Sequence, residues 1–554
     1  MRLSRKLPMA LALATALVLG SLPAIAAPSG PHYGGTLRLV AAAAEGTMDP
    51  QVNYTIKYWQ LFPILYDGLV TFQKAGGMDA FKIVPDLAVS IPTPMDGGKT
   101  YSFTLRKGIR FSNGQTLTAD DVRATFVRLF KVLNPNAGTW YNVIEGGDEC
   151  VKTPASCTLP GVVADDAAGT VTFHLVHPDS EFLDQLAVPF GSIVPASTPA
   201  KDMGTTPIPG TGAYVIKSYD PNKGMVLIRN PYFKEWSAVA QPWGYVDEID
   251  YNFGLTPDAQ VTAVENGEDD WSFDNIPLDR LNEIATRYPK QLHLNPLLAY
   301  FYLTLNVNLP PFNNLAARQA LAYALNRGDL VKLYGGPALA TPSCQVLPPG
   351  MPGYQAYCPY TQNPGTKWTA PDMAKAKELM AKSGTAGQSV TVITQTIDPY
   401  RAMGVYVQSL LNQLGYRASV KAISPDIEFT YLQNTKNKVQ IGVTDWYQDY
   451  PAPSDFLNVL YSCANFHPGS DTSINMPGFC VPSIDSMMQK AMTLSLTDED
   501  AANKIWAEVD KKVTDSSPTV TMLNPKHADF VSKRVGNFVF SGQTYFQPEL
   551  AWVK

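Results

Sequence analysis

The sequence predicts an α/β protein with mixed sheets, joined to a region of antiparallel α+β structure. From about residue 286 onward, segments with strand and helix periodicity alternate, which favours parallel or mixed sheets. Before about residue 205, alternating strands are separated by short turns, which favours hairpins. With 554 residues, the chain is long enough for roughly two to four domains with large cores.

The N-terminus has the three parts of a secretory signal peptide. Three basic residues among the first six precede an apolar run from Met9 to Leu22, and Ala24-Ile25-Ala26 follows as a cleavage site. The run is shorter than the ~20 apolar residues that span a bilayer, so we expect cleavage after residue 26 rather than an anchor. No cysteine follows the run, which argues against a lipoprotein. We expect residues 27–554 to be exported, without membrane insertion.

The first half of the exported chain is predicted to contain short strands and few helices. Residues 35–40 and 69–72 alternate as strands, and residues 58–66 between them have the apolar spacing of a helix. Residues 100–105 and 109–111 are predicted strands before a turn at Ser112-Asn113-Gly114. Further strands are expected at 171–176, 215–216 and 225–228.

Thr118 is predicted to begin a helix, because its side chain can cap the first turn and two aspartates follow near the positive end of the dipole. In the second half of the chain, predicted strands and helices alternate. Strands are predicted at 302–306, 390–393, 418–422 and 439–443, and helices at 315–326, 374–383 and 400–414. Gly384 and Gly415 end the last two helices.

Six cysteines fall into three local pairs, Cys150 with Cys157, Cys344 with Cys358, and Cys463 with Cys480. Six cysteines allow 15 connectivities, but this clustering favours three bridged loops. A metal site would favour closely spaced C-x-x-C pairs, which are missing from the sequence. We therefore expect structural disulfides in an oxidising compartment.

Several function classes lose support at the level of the sequence. The near balance of 43 basic and 49 acidic residues argues against nucleic acid as a partner. The sequence has no G-x-S-x-G, no phosphate-binding loop, no G-x-G-x-x-G and no H-E-x-x-H. His174 and His177 are three apart on a predicted strand and so face opposite sides. No cofactor or metal is predicted, although a carboxylate pair for glycoside hydrolysis stays open.

The segment from Gly442 to Pro453 is the densest in functional side chains. It joins an apolar strand to a loop in which Trp446, Tyr447, Asp449 and further aromatic residues alternate with prolines. Open α/β sheets bind ligands beyond the ends of their strands. Aromatic walls and a fixed carboxylate suit a cationic amine on an apolar body. The alternative from the residues alone is a surface loop stiffened by tyrosine and proline.

At these residues the sequence resembles the family 5 extracellular solute-binding proteins, the peptide/nickel-type periplasmic receptors of ABC importers. The most specific match is residues 100–122, TYSFTLRKGIRFSNGQTLTADDV, which is similar to the family's strand–turn–helix. Further matches cover nearly the whole exported chain, at residues 64–69, 84–88, 210–214, 230–233, 306–327 and 445–456.

The resemblance implies a periplasmic binding protein type II-like fold, with two hinged lobes and an extra α+β domain. The implied parts are a signal peptide (1–26), lobe I in three pieces (27–65, 205–285 and 515–554), the extra domain (66–204) and lobe III (286–514). It also implies that Asp449 holds the α-ammonium of a peptide, with Trp446 as a neighbouring wall. Further ligand contacts are expected from Tyr447, Tyr302, Asn53 and Tyr54. The spacing of Cys463 and Cys480 resembles a disulfide of dipeptide-type members.

Two departures bear on the ligand. The family often reads D-Y-P-D-P where this chain has Ala452, and residues 394–400 lack the arginine with which dipeptide-type members hold a carboxylate. We expect a monomeric periplasmic receptor that captures a peptide or similar amine-bearing solute and delivers it to an inner-membrane ABC permease. The alternatives are a receptor for a nickel chelate, an opine or an oligosaccharide, or a secreted hydrolase.

Overall fold

The computed structural model describes residues 30–470 and 473–554. The predicted signal peptide lies outside these residues. The strands are β1 Thr36–Ala41, β2 Val70–Phe72, β3 Ile83–Pro85, β4 Thr100–Thr104, β5 Val162–Asp165, β6 Thr170–His174, β7 Tyr214–Asp220, β8 Gly224–Arg229, β9 Glu248–Phe253, β10 Trp271–Ser272, β11 Leu292–Pro296, β12 Ala299–Leu305, β13 Ala340–Pro342, β14 Ser389–Gln395, β15 Arg417–Ile423, β16 Ile441–Tyr447, β17 Thr519–Phe530, β18 Val535–Gly536, β19 Phe540–Ser541, β20 Tyr545–Phe546 and β21 Trp552–Val553.

The helices follow the alternation predicted for the second half of the chain. They are α1 Ile56–Trp59, α2 Phe62–Leu65, α3 Ala119–Lys131, α4 Gly147–Lys152, α5 Phe182–Ala187, α6 Pro257–Asn266, α7 Leu278–Arg287, α8 Leu315–Ala324, α9 Arg327–Tyr334, α10 Met373–Ser383, α11 Tyr400–Gln413, α12 Pro425–Gln433, α13 Pro453–Tyr461, α14 Pro482–Ser495 and α15 Glu499–Ser516.

Two mixed sheets form the main body of the protein. The five-stranded sheet has the order β10-β1-β9-β8-β7, with β1 parallel to both neighbours and β8 antiparallel to both. The seven-stranded sheet has the order β11-β17-β12-β16-β14-β15, with β13 also paired to β17. In this sheet β14 is parallel to β15 and β16, whereas β12 is antiparallel to β16 and β17.

The hairpin-rich region forms a smaller antiparallel sheet, β4-β6-β5, against which α3 packs. Thr118 caps α3 as predicted, since its hydroxyl accepts the N–H of Asp121 while the Asp121 carboxylate accepts the Thr118 N–H. The predicted strand at 109–111 is reduced to a bridge between Arg110 and Thr116. The predicted helix at 58–66 is broken in two, because Pro63 has no N–H with which to continue α1.

Separate cores surround the two main sheets. One core joins the five-stranded sheet to the three-stranded sheet, through residues such as Leu39, Phe103 and Tyr251. The seven-stranded sheet has a core on each face, and β12 serves both because side chains alternate along a strand. Phe301 points into one of these cores, and Tyr300 points into the other.

The chain crosses between the two large sheets at neighbouring places. The first crossing leads from β10 through α7 to β11, and the second is the end of β17, where Val531 pairs with Trp271 of β10. The predicted division placed residues 515–554 in lobe I. By its backbone pairing, β17 lies in the seven-stranded sheet between β11 and β12. The other predicted domain boundaries stay predictions.

Candidate functional site

A cavity of about 370 Å³ lies between the two large sheets. Its volume falls within the range of ~300–1,000 Å³ typical of small-molecule sites. Both ends of the chain and the middle contribute to it, and the wall contains the following residues: Tyr54, Thr55, Ile56, Trp59, Phe273, Asp274, Asn275, Leu297, Leu298, Tyr334, Tyr447, Gln448, Asp449, Lys526, His527, Gly542, Gln543 and Tyr545.

The backbone of Asp449 is fixed from three directions at the end of β16. The N–H of Gln448 donates to Leu298 O (3.0 Å), which extends the strand pairing by one residue. The N–H of Asp449 donates to Oδ2 of Asp455 (2.9 Å). The Asp449 carbonyl accepts from Nε2 of Gln543 (2.6 Å) in the β19–β20 hairpin. These contacts hold the backbone of Asp449 in place at the cavity wall.

The Asp449 carboxylate lacks a cationic partner. Its Oδ1 accepts the hydroxyl of Tyr54, which comes from the segment before α1. Burial raises its pKa to about 7, while the hydrogen bond from Tyr54 opposes this rise. Within residues 30–470 and 473–554, no Lys, Arg or His side chain forms an ion pair with it. A carboxylate shielded from water is stabilised by a cation, and the described residues supply none to Asp449.

Two further carboxylates lie close to Asp449. Asp455, with no exposed surface, has a pKa raised well above the usual range by burial and then by the charge of Asp449. Glu181, from the predicted extra domain, accepts the hydroxyls of Tyr450 (2.9 Å) and Ser454. Burial, followed by the charge of Asp179, raises the pKa of Glu181 to about 8. Of the three carboxylates, Asp449 lines the cavity and the other two lie behind it; we call Asp449, Asp455 and Glu181 the acidic pole.

Aromatic rings form much of the remaining wall. Tyr54 and Tyr447 keep 42% and 37% of their surface exposed, as expected of side chains beside an open space. The Tyr54 ring packs against Trp59, with 5.2 Å between ring centroids. The other aromatic side chains of the wall are Phe273, Tyr334 and Tyr545. Rings of this kind attract cations through their faces and pack against apolar groups.

The other predicted ligand residues, Trp446, Tyr302 and Asn53, do not line the cavity and contact other parts of the protein. Trp446 pairs with Tyr300 across β12 and β16, so its side chain points away from Tyr447, and it stacks on Phe429 (centroids 6.1 Å apart). Tyr302 is 2% exposed and stacks on Tyr300 (4.6 Å). Asn53 donates from Nδ2 to the carbonyls of Glu45 and Thr47 (both 2.7 Å). Their direct ligand contacts stay predictions.

Asn53 nevertheless contributes to the site by holding the loop that carries Tyr54. Its Oδ1 accepts the Thr55 N–H (2.8 Å), and its carbonyl accepts from Nε1 of Trp59 (2.8 Å). Tyr54 is thus fixed between two anchored positions. This arrangement explains how a loop residue meets Asp449, which is 395 positions away in the sequence.

Several wall residues were not found from the sequence. Lys526 and His527 come from β17, Asp274 from the segment after β10, and Gln543 from the β19–β20 hairpin. None belongs to a local motif, because they meet only through sheet order and chain crossing. The polar pair Lys526-His527 is visible in the sequence, but nothing there places it near Asp449.

All six cysteines form disulfides. Disulfides join Cys150 to Cys157, Cys344 to Cys358, and Cys463 to Cys480. In the described parts of the chain, no group of three or more His, Cys, Asp or Glu side chains is placed to hold a metal ion. Nor does any helix between residue 30 and the C-terminus, outside residues 471–472, have the length and apolar character to cross a membrane.

The sequence is similar over most of its length to several curated solute-binding proteins. The periplasmic oligopeptide-binding protein OppA of Escherichia coli K12 is 26% identical over 464 residues, covering 79% of each chain. The dipeptide-binding protein of the same organism is 27% identical over 516 residues, covering 87% of this chain and 88% of its own. The glutathione-binding protein GsiB of Salmonella choleraesuis is 26% identical, with 86% and 87% covered.

Solved structures share the fold. Clavulanic acid biosynthesis oligopeptide binding protein 2 superimposes with a TM-score of 0.85 at 23% identity, covering 94% of this chain and 96% of its own. The E. coli murein tripeptide binding protein MppA gives 0.74 at 20% identity, with 94% and 98% covered. The two-lobed fold is therefore that of the type II periplasmic binding proteins. The profile of the bacterial extracellular solute-binding proteins, family 5 Middle, matches residues 82–468, and the chain belongs to this family.

Proposed function

We propose that this protein binds a short peptide or a similar amine-bearing solute in the cavity between its two large sheets and delivers it to an inner-membrane ABC permease. The observation that carries the proposal is the Asp449 carboxylate, which lies at the cavity wall without an ion pair to any cationic side chain of the described residues. A ligand ammonium group supplies the missing charge and a hydrogen bond of the stronger, charge-assisted kind.

Contacts between the two sides of the cavity support capture by closure. Tyr54 beside the five-stranded sheet bonds to Asp449 at the end of the seven-stranded sheet. Glu181 of the predicted extra domain bonds to Tyr450 and Ser454, which precede and begin α13. A ligand that contacts both sides favours this closed arrangement, because those contacts exist only when the sides are together.

Charge balance separates the amine-bearing solutes from the alternatives. An oligosaccharide has no cation, and an anionic nickel chelate offers none to Asp449. Either ligand would leave Asp449 buried and unpaired, at a cost in binding free energy. A peptide or an opine with a basic nitrogen avoids that cost.

The remaining parts of the proposal follow from the N-terminal sequence and the family. The chain has a predicted signal peptide, and OppA, a relative, is named as a periplasmic protein, so we place this protein in the periplasm. We expect a monomeric receptor that releases its solute chemically unchanged. Neither nucleic acid nor a bound cofactor has a role in this function.

Native mass spectrometry of protein purified without denaturation tests the proposal. The expected result is a bound species that carries a primary or secondary amine, displaced by a library of dipeptides and tripeptides. An amine-free species such as a neutral glycan, retained in the presence of the peptide library, would contradict the proposal.

A further inference from the structure

The cavity has a second charged side chain, which gives it two poles. On the basis of the proposed function, we propose that Lys526 binds a carboxylate of the solute, so that the cavity selects a zwitterion of two or three residues. Asp449 holds the ammonium end of this solute, and Lys526 receives the other end. The arginine that dipeptide-type members use for this purpose is missing from residues 394–400, and Lys526 lies on a different strand.

The ammonium group of Lys526 is available for a ligand. Lys526 lines the cavity and is partly exposed. Its Nζ forms no ion pair or hydrogen bond with any residue that the structure describes. Lys57, by contrast, also approaches this region of the protein but is already paired with Glu45 (2.7 Å). An unpaired lysine at the cavity wall is therefore a cation that can accept an incoming carboxylate.

The acidic side chains near Lys526 are occupied by other partners. Asp274 shares the cavity wall, but its Oδ2 accepts the Ala42 N–H (2.6 Å) and Nε2 of Gln260 (2.8 Å). Asp529 accepts from Nε1 of Trp271 (2.8 Å) and Nδ2 of Asn295 (2.7 Å). These hydrogen bonds hold both carboxylates in place, and neither carboxylate forms an ion pair with Lys526.

The backbone of Lys526 is as firmly placed as that of Asp449. Lys526 pairs with Pro296 of β11, and its N–H donates to Leu339 O (2.7 Å). On the other side of β17, the Leu297 N–H donates to Pro525 O (3.3 Å). A binding side chain on an internal strand keeps its position better than one on a free loop.

Sheet order sets the distance between the two poles. The loop after β16 and the strand β17 flank β12, and Leu298 pairs with Gln448 while Leu297 pairs with Pro525. Asp449 and Lys526 thus lie at the same end of the sheet, two strand spacings apart, which is about 10 Å. An extended peptide spans ~3.3–3.6 Å per residue, so two or three residues bridge the poles.

Libraries of dipeptides and tripeptides built from Ala, Leu, Phe and Ser test this assignment by calorimetry and native mass spectrometry. One library has a free C-terminus, the second is amidated, and the third is amidated but carries one Glu side chain. For the wild type we expect the free library to bind at least about tenfold more tightly than the amidated one, as for a charged hydrogen bond. Binding of the third library at full strength would place the recognised carboxylate on a side chain, and Lys526→Gln should then weaken binding of that library as well.

Substitutions test whether the preference for free over amidated peptides depends on Lys526. Lys526→Gln should reduce the difference between free and amidated peptides to under about threefold, and Lys526→Arg should retain most of it. Lys533→Gln, an exposed lysine just beyond β17, is the matched control and should keep the full preference. Equal binding of free and amidated peptides by the wild type, or full preference in Lys526→Gln, would overturn the assignment while leaving peptide binding intact. Binding of no library would contradict both the assignment and the proposed function.

Discussion

Asp449, partly exposed at the cavity wall, and Asp510, buried on α15, are carboxylates on the seven-stranded side of the molecule, and their surroundings differ. Asp510, 1% exposed on α15, accepts from Nε2 of Gln345 (2.7 Å), the N–H groups of Val346 and Leu347 (3.0 and 3.4 Å), and the hydroxyl of Thr514 (3.3 Å). Asp449 accepts one hydroxyl, from across the cavity. Burial raises the pKa of each to about 7.

The comparison shows that a raised pKa does not by itself identify a binding residue. Burial raises the pKa of both groups, but the chain supplies four donors to Asp510 and leaves Asp449 facing a cavity. A carboxylate with all its donors supplied stabilises the fold, whereas one with too few depends on a ligand. The two residues should therefore respond differently to substitution.

The largest effect is expected from Asp510→Ala. This change leaves the buried donors of Gln345, Val346 and Leu347 without an acceptor, so we expect the free energy of unfolding to fall by about 3–5 kcal/mol. Urea unfolding of the ligand-free protein measures this loss. Asp449→Ala is the matched control and should change stability by under about 1 kcal/mol. Equal losses in the two variants would remove the distinction between the two carboxylates.

Asp449→Asn should instead weaken binding of an amine-bearing peptide. The amide keeps the shape of the side chain but lacks its charge, so we expect a loss of about 1.5–3 kcal/mol of binding free energy. Isothermal titration with a free tripeptide library measures it. Asp279→Asn, an exposed aspartate outside the cavity wall, should bind as the wild type does. Unchanged affinity in Asp449→Asn would remove Asp449 from the binding site.

The pH should shift the balance between open and closed forms of the empty protein. In this closed arrangement burial raises the pKa of Asp449 to about 7 and that of Glu181 to about 8, and we expect an open form that exposes both carboxyls to return them toward the usual values near 4. Closure therefore takes up protons, and the closed form should be favoured as the pH falls from 8 to 5 and disfavoured as it rises through 7–8. Small-angle scattering should show a smaller radius of gyration at pH 5. A larger radius at pH 5 would contradict this sign.

Glu181→Gln should have the smallest effect. The amide oxygen can still accept one of the hydroxyls of Tyr450 and Ser454, so closure should weaken by only about 0.5–1.5 kcal/mol. The pH dependence of the ligand-free form should become shallower at the same time. Scattering of this variant at pH 5 and pH 8 tests both points, and an unaltered pH response would exclude Glu181 as a contributor.

Local sequence patterns predicted much of the fold. Thr118 was identified as the cap of α3, and the structure confirms both the cap and the helix behind it. Gly384 directly follows α10 and Gly415 lies two residues beyond the end of α11, and they adopt φ values of +64° and +95° that favour glycine. Such features depend on residues close together in the chain, so they are visible in the sequence.

The site was predictable only in part, because its geometry depends on strand length and sheet order. The strand before Asp449 was predicted to end at Val443, but β16 runs to Tyr447. The four additional residues place Tyr447 at the cavity and Trp446 on the opposite face. Lys526 could not be assigned, because nothing local indicates that β17 lies two strands from Asp449.

A double-mutant cycle tests the central claim, that Asp449 binds the amine of the solute. The affinities of free and N-acetylated tripeptide libraries are measured by calorimetry for the wild type and Asp449→Asn. If the carboxylate and the amine contact each other, each change removes the same interaction, and the combined loss should be smaller than the sum of the two single losses by at least about 1 kcal/mol. Losses that simply add would contradict the claim, since they would show that the amine is bound elsewhere.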